Sequence, residues 1–427
     1  MIDNANRAAW PSAGAIRHNA VTRRQLRIVA VTAAALVMAL GGITAAALAS
    51  GPGRHSSIRV STRPTPTSLN LSPADVVALQ MFTPETGVGI ASATPPRCVG
   101  TCPGRPSRPP GPYYLASTAD GGLHWTATAR LPATSTKPSY NNLILAFVTT
   151  SEGYVQYATP GAASNTTWLT GDGGRTWSPL RSAGPATSLS LLGKSAWVTA
   201  TVCPPGVTRG STCHVDLLSY TFGAPAPATS NVIPVEGVPA AVAGTPEQPT
   251  LLGRLDATTG VAAEGGEGGP TSLLVTHDSG RHWQQQPDPC GDLTPAGFVT
   301  TSPADWNLYC SLAGGMNQGT VGFYTSTNSG QQWTLDAQAN ETNSSAGTIS
   351  TSLGYDLTAS GNGHALWLVG SLDDLQVSTD GGSHWSDVSI QTDGTHPILA
   401  AAGPTQAWLP TPTGLYHTLD GTTWKRL

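Results

Sequence analysis

One eight-residue pattern recurs along this chain at nearly constant spacing, and nothing else in the sequence restricts the fold as strongly. Thr118-Ala119-Asp120-Gly121-Gly122-Leu123-His124-Trp125 is the first copy and Thr170-Gly171-Asp172-Gly173-Gly174-Arg175-Thr176-Trp177 the second. Thr276-His277-Asp278-Ser279-Gly280-Arg281-His282-Trp283 follows, then Ser326-Thr327-Asn328-Ser329-Gly330-Gln331-Gln332-Trp333, with Asn in place of Asp. Ser378-Thr379-Asp380-Gly381-Gly382-Ser383-His384-Trp385 is the fifth; Thr418-Leu419-Asp420-Gly421-Thr422-Thr423-Trp424 is the sixth, one residue shorter. The tryptophans step by 52, 106, 50, 52 and 39 residues. The second step is two periods, so a seventh unit without the pattern ends near residue 230, with Leu217 to Gly223 where its strand and turn belong. Internal periods of this size signal repeated supersecondary units.

Each unit reads as four short strands. In the second, Asn142 to Val148 and Gly153 to Tyr157 are strands, Thr167 to Thr170 leads into the pattern, and Trp177 to Leu180 leaves it. Trp197, Trp306, Trp367 and Trp408 mark second strands of other units. One four-stranded sheet cannot bury both its faces, whereas seven stacked around a ring can. The predicted fold is therefore all-β, a seven-bladed β-propeller over residues 71–427. Forty-nine Gly, 35 Pro and only 11% charged residues suit short strands and many turns.

The pattern has a local physical meaning. Its fifth residue, Gly, takes positive φ in a tight turn. Asp accepts backbone N–H groups across that turn, and Ser or Thr two residues earlier adds a further hydrogen bond. Trp opens the next strand and covers the hairpin. Asp120, Trp125, Asp172, Trp177, Asp278, Trp283, Asn328, Trp333, Asp380, Trp385, Asp420 and Trp424 are thus structural residues. His124, His282 and His384 each precede a pattern Trp and read as exposed turn residues on separate blades, not as metal ligands.

The motif S/T-x-D-x-G-x-x-W resembles the Asp-box, or BNR, repeat of sialidases, sortilin-type receptors, some endoglucanases and photosystem II assembly-factor propellers. The resemblance covers roughly residues 70 to 427. It implies a propeller with the box between the third and fourth strands of each blade, and it implies no particular chemistry, because the fold carries enzymes and binders alike.

Before the repeats the chain is different. Ile28 to Ala49 is an uncharged apolar run long enough to cross a bilayer. It follows Arg17, Arg23, Arg24 and Arg27, so residues 1–27 read as a cytoplasmic basic tail and everything after residue 50 as exported. Two readings stay open: a retained single-pass membrane anchor, or a signal cleaved after Ala47-Leu48-Ala49. Residues 50–70 are a Ser/Thr/Pro-rich spacer, although Ser57 to Thr62 alternates like a strand and would fit the edge of the last blade. Arg replaces Lys almost throughout, in keeping with a GC-rich bacterial genome. With a net charge of −4 and no basic run beyond the tail, nucleic acid is not an expected partner. The six cysteines, Cys98, Cys102, Cys203, Cys213, Cys290 and Cys310, all fall in the exported part. Chain order suggests disulfides 98–102, 203–213 and 290–310. No Cys pair has a His at zinc-finger spacing, and no metal or cofactor site is expected.

If the boxes join third to fourth strands, the second-to-third-strand loops open at the opposite end. These are the irregular segments, and loops held by a rigid scaffold commonly carry function. Arg97, Arg105 and Arg108 lie in blade one, Arg209 in blade three, Glu264 and Glu267 in blade four, and Asp373 and Asp374 in blade six. All are candidates for a ligand face. Two function classes compete: a non-catalytic binding or assembly module for a protein or glycan ligand, and a glycoside hydrolase of the sialidase kind. A sialidase needs an arginine cluster, an acid and a tyrosine nucleophile supported by a glutamate. The Arg-Ile-Pro segment of that family is missing, and the inner strands Asn142 to Val148, Leu189 to Leu192 and Pro397 to Ala402 carry no charge. These features favour the binding module. An assembly-factor propeller of the photosystem kind implies an arginine-rich face, of which only Arg97, Arg105 and Arg108 are present.

Overall fold

A computed structural model of the chain contains seven antiparallel sheets in sequence order. It describes Val60–Ser61 and most of 69–427. Residues 1–59 and the connections 62–68, 93–111, 133–142, 158–165, 181–185, 203–211, 222–228, 243–244, 247–250, 265–271, 314–318, 341–348, 352–353, 361–362, 364, 371–374, 391–398 and 412 lie outside the described residues.

Blade 1 is built from Val76–Met81, Gly87–Ser92, Tyr113–Thr118 and Trp125–Arg130, and blade 2 from Leu143–Phe147, Gly153–Tyr157, Thr166–Thr170 and Thr176–Pro179. Blade 3 comprises Ala186–Leu192, Ser195–Val202, Thr212–Thr221 and Thr229–Val242; blade 4 comprises Leu251–Arg254, Gly260–Glu264, Ser272–Thr276 and Gln284–Gln286. Blade 5 holds Thr294–Thr300, Trp306–Ala313, Gly319–Ser326 and Thr334–Ala339. Blade 6 holds Gly354–Ala359, Leu366–Gly370, Leu375–Ser378 and Ser386–Val388, and blade 7 Ala400–Ala402, Gln406–Thr411, Gly414–Thr418 and Trp424–Arg426. In every blade the four strands pair in sequence order, each with the next.

First strands form the inner ring: Val76–Met81 of blade 1 contacts both Leu143–Phe147 of blade 2 and Ala400–Ala402 of blade 7. The apolar core is divided accordingly into seven clusters of buried side chains, and each cluster spans one interface between neighbouring blades. The stability of this fold therefore resides between sheets, as expected for stacked repeats.

Tryptophan dominates those interfaces. Trp125, Trp177, Trp197, Trp306, Trp367, Trp385 and Trp408 are all fully buried, and truncating any of them costs about 3–5 kcal/mol. Two second-strand tryptophans reach forward to the next blade. Trp367 Nε1 donates to Gly421 O of blade 7 at 3.1 Å, and Trp408 Nε1 donates to Gly121 O of blade 1 at 2.8 Å. Blade 7 thus packs on blade 1 by the same device that joins blades 6 and 7, and no fourth strand is exchanged between them.

The N-terminal approach departs from the sequence expectation. Val60–Ser61 pairs with Thr176–Pro179 at the outer edge of blade 2, with Val60 opposite Trp177. Of the segment Ser57 to Thr62, the described residues Val60–Ser61 form a strand, and its partner is blade 2, not blade 7. A two-residue strand carries too little pattern to choose among seven similar edges. The apolar run at 28–49 lies outside the described residues, among which no helix is long and apolar enough to cross a membrane.

Candidate functional site

At one end of the blades, the turn between third and fourth strands repeats the same hydrogen bonds. Thr118 Oγ1 donates to Asp120 Oδ1 at 3.0 Å and accepts from Gly122 N at 3.0 Å. Asp120 Oδ1 also accepts from His124 N at 3.0 Å, and Trp125 Nε1 returns to Gly122 O at 2.9 Å. Blade 4 repeats this set through Thr276, Asp278, Gly280, His282 and Trp283, and blade 6 through Ser378, Asp380, Gly382, His384 and Trp385; blade 2 repeats it through Thr170, Asp172, Gly174 and Thr176 without the indole bond. In blade 5 the amide oxygen of Asn328 accepts from Ser326 Oγ and Gln332 N, so Asn keeps the acceptor and loses only the charge.

The fifth-position glycines Gly122, Gly174, Gly280, Gly330 and Gly382 all have positive φ, between 77° and 101°. The fourth position is left-handed too. Ser279 and Ser329 sit there with φ of 64° and 59°, each hydroxyl donating to a carbonyl of the neighbouring turn, Ala257 O and Pro303 O.

These acids are committed to their own turns. Desolvation would raise the carboxyl groups of Asp120 and Asp380. Hydrogen bonds from the His124 and His384 backbones and rings, and from Thr118 and Ser378, outweigh it and hold both below the usual carboxylate range. Asp172 is likewise lowered against desolvation by Thr176 and Thr170. The His282 backbone and ring lower Asp278, and the Thr423 and Thr422 groups lower Asp420. Carboxylates held as anions by several hydrogen-bond donors are poor proton donors. His124, His282 and His384 are exposed as read from sequence, and each ring is held by its own box acid, with Nδ1 at 2.6, 2.5 and 2.7 Å from the carboxylate. Among the described residues, no three His, Cys, Asp or Glu side chains gather to hold a metal ion.

A second repeated turn escaped the sequence reading. The hairpin between first and second strands carries Thr83, Thr149, Asp256 or Ser302, whose side-chain oxygen accepts backbone N–H groups two and three residues on. The fourth residue of the box then donates its N–H into that hairpin: Gly121 N to Glu85 O, Gly173 N to Ser151 O, Ser279 N to Thr258 O and Ser329 N to Ala304 O, all at 2.8–2.9 Å. The two hairpins at this end of a blade are thereby tied together. The available signal was a Thr, Asp or Ser four residues before Gly87, Gly153, Gly260 and Trp306.

The second-to-third-strand connections leave the blades at the other end, and by the strand limits all eight candidate ligand-face residues belong in sequence to those connections or their edges. Arg97, Arg105 and Arg108 fall between Gly87–Ser92 and Tyr113–Thr118, and Arg209 between Ser195–Val202 and Thr212–Thr221. Glu264 is the last residue of its strand, opposite Ser272, with Glu267 in the connection that follows. Asp373 and Asp374 fall between Leu366–Gly370 and Leu375–Ser378. Apart from the Glu264 backbone, these residues lie outside the described ones, as do Cys98, Cys102 and Cys203. Cys213 is disulfide-bonded, and Cys290 is joined to Cys310 with a Cα–Cα distance of 5.6 Å. This last bridge ties the segment linking blades 4 and 5 to the second strand of blade 5, so it is not a loop staple of the candidate face.

The inner strands are not wholly uncharged. Arg254 ends the first strand of blade 4, but its side chain is buried and turns toward blade 3. Its guanidinium donates to Ser195 Oγ at 2.6 Å and to the Asp256 and Ala257 carbonyls at 3.1 Å, and lies 4.7 Å from the Trp197 ring centroid. Arg254 therefore joins two blades, with each of its three guanidinium nitrogens engaged by a protein acceptor.

No family model matches the chain, and no curated protein sequence does either. Solved structures with some likeness include YCF48 bound to D1 peptide, at 16% identity over 83% of this chain and 97% of that one, TM-score 0.47. A catalytically inactive virginiamycin B lyase from Staphylococcus aureus with quinupristin matches at 12% identity over 82% and 96%, TM-score 0.48. An α-L-arabinanase from Penicillium chrysogenum with arabinobiose matches at 10% identity over 63% and 87%, TM-score 0.41.

Proposed function

We propose that this chain is an Asp-box propeller, exported and held at the membrane by its apolar run at 28–49, that works as a non-catalytic binding or assembly module for a protein or glycan. One observation carries the reading. Every box acid is consumed in fixing its own turn, and the repeated hairpins at that end are tied to each other, which leaves the irregular connections at the opposite end as the surface that differs from blade to blade. That surface includes Arg97, Arg105, Arg108 and Arg209, with Glu264, Glu267, Asp373 and Asp374 on other blades. Mixed charge among these connections suits electrostatic selection of a partner. The inner strands of blades 2, 3 and 7 carry no acid, and Arg254 is engaged by Ser195, Asp256 and Ala257, which favours binding over glycoside hydrolysis.

The test uses the full chain in detergent, wild type and with Arg97, Arg105 and Arg108 changed to Ala, against peptide and glycan arrays and against sialosides and β-glucans in turnover assays. Binding that disappears in the triple variant, with no turnover in either protein, is the expected result. Turnover abolished by replacing Glu264, Glu267, Asp373 or Asp374 would overturn the proposal in favour of a hydrolase.

A further inference from the structure

At six of the seven interfaces the chain itself passes from one blade to the next. The interface between blades 7 and 1 has no such link, because blade 1 is entered from residues 69–75. Those residues are placed across the seam. Asn70–Leu71 pairs with the outer strand of blade 1, Leu71 opposite Trp125, and Ala127 N donates to Leu69 O at 3.0 Å. The following 3-10 turn, Pro73–Asp75, contacts the third strand of blade 7, Gly414–Thr418. Leu71 is buried in the cluster formed by Trp125, Ala127, Trp408 and Leu415, with Leu69 and Leu427 against it. A capping box fixes the turn: Ser72 N donates to Asp75 Oδ2 at 2.8 Å and Ala74 N to Ser72 Oγ at 3.0 Å.

We propose that residues 69–75 are a latch that closes the ring. Ring folds must hold their one unlinked interface against opening, and here a short segment outside both blades binds each of them. It does so with a two-residue ladder on one side, a capped turn on the other, and a buried Leu between. The seam is then the part of the ring that opens first when the latch is weakened, while the covalently linked interfaces stay shut.

Hydrogen exchange on the full chain tests this, comparing wild type with Leu71→Ala and with the double variant Ser72→Ala/Asp75→Asn, which leaves the core side chains intact. Leu252→Ala, at the interface of blades 3 and 4, serves as control. The expected result is amide exchange at least tenfold faster in Trp125–Arg130 and Gly414–Thr418 for both latch variants, with Trp306–Ala313 of blade 5 changed less than twofold. The control should leave both seam strands within twofold of wild type. If Leu71→Ala does not fold, the double variant is read against the same limits. Uniform acceleration across all blades, or no acceleration at the seam, would overturn the proposal.

Discussion

Gly381 and Gly382 are adjacent in one turn, both with positive φ, 74° and 101°, yet replacing them with Ala should have unequal consequences. A Cβ at Gly381 meets nothing within 4 Å. Its cost is the left-handed penalty of about 1–2 kcal/mol, partly offset by about 0.4–1 kcal/mol from a less flexible unfolded chain. The net is about 1 kcal/mol. A Cβ at Gly382 falls on the buried Phe323 ring of blade 5. That ring packs edge-on against Trp385, with centroids 5.3 Å apart and planes at 75°, so it cannot give way without disturbing the interface. Overpacking adds about 1–3 kcal/mol, and lost aromatic geometry about 0.5–1.5 kcal/mol. Gly382→Ala should therefore be at least about 1.5 kcal/mol less stable than Gly381→Ala, roughly 13-fold in the unfolding constant. The chain supplies its own control: Ser279 and Ser329 occupy the fourth position in blades 4 and 5, so Gly381→Ser should be tolerated at least as well as Gly381→Ala. Guanidinium unfolding followed by emission of the buried tryptophans reads all three. Equal destabilisation of the two Ala variants, within about 0.5 kcal/mol, would refute the claim that the fifth glycine is set by inter-blade contact and not by turn geometry alone.

Arg254→Ala removes the bonds to Ser195, Asp256 and Ala257 and the contact with Trp197. It should cost about 3 kcal/mol, and Lys, lacking the planar fork, should recover less than half in a denaturation midpoint assay. Cys290→Ala/Cys310→Ala opens a loop of sequence separation 20 and should cost about 3 kcal/mol by unfolded-chain entropy, measured by urea unfolding. Acid titration tests the box acids. Their folded pKa values are lowered, so the stability they contribute is complete above the unfolded value near about 4. It is lost as pH falls through the folded values. Asp380→Asn should flatten the stability decline below about pH 4 while leaving an acceptor in place, as Asn328 does in blade 5. A decline of unchanged slope would show that Asp380 does not contribute.

How much of this was legible in the sequence depends on the range of the interaction. The Ser/Thr–Asp–Gly–Trp spacing fixed the positive-φ glycines, the carboxylate bonds and the exposed histidines, because every partner in that turn lies within four residues. Spacing also placed the unit that lacks a box, since Thr212–Thr221 and Thr229–Val242 supply its third and fourth strands. The same reasoning located the candidate arginines and acids in second-to-third-strand connections, and it stopped there, because converging side chains from different blades is a long-range matter. The first-to-second hairpin turns were overlooked although their signal is local: Thr, Ser and Asp alternate at the key position, so no single residue type repeats.

By itself, then, the sequence determined how many blades there are, what each turn looks like and which residues each turn consumes. Tertiary structure alone decided that Val60–Ser61 lies on blade 2, that Arg254 bridges two blades from an inner strand, and that Leu71 sits in the seam between the last blade and the first. Hydrogen bonds within a turn are encoded by neighbours in the chain. Contacts between stacked sheets depend on which of seven similar edges and faces comes to lie beside another, a choice settled only when the whole ring packs.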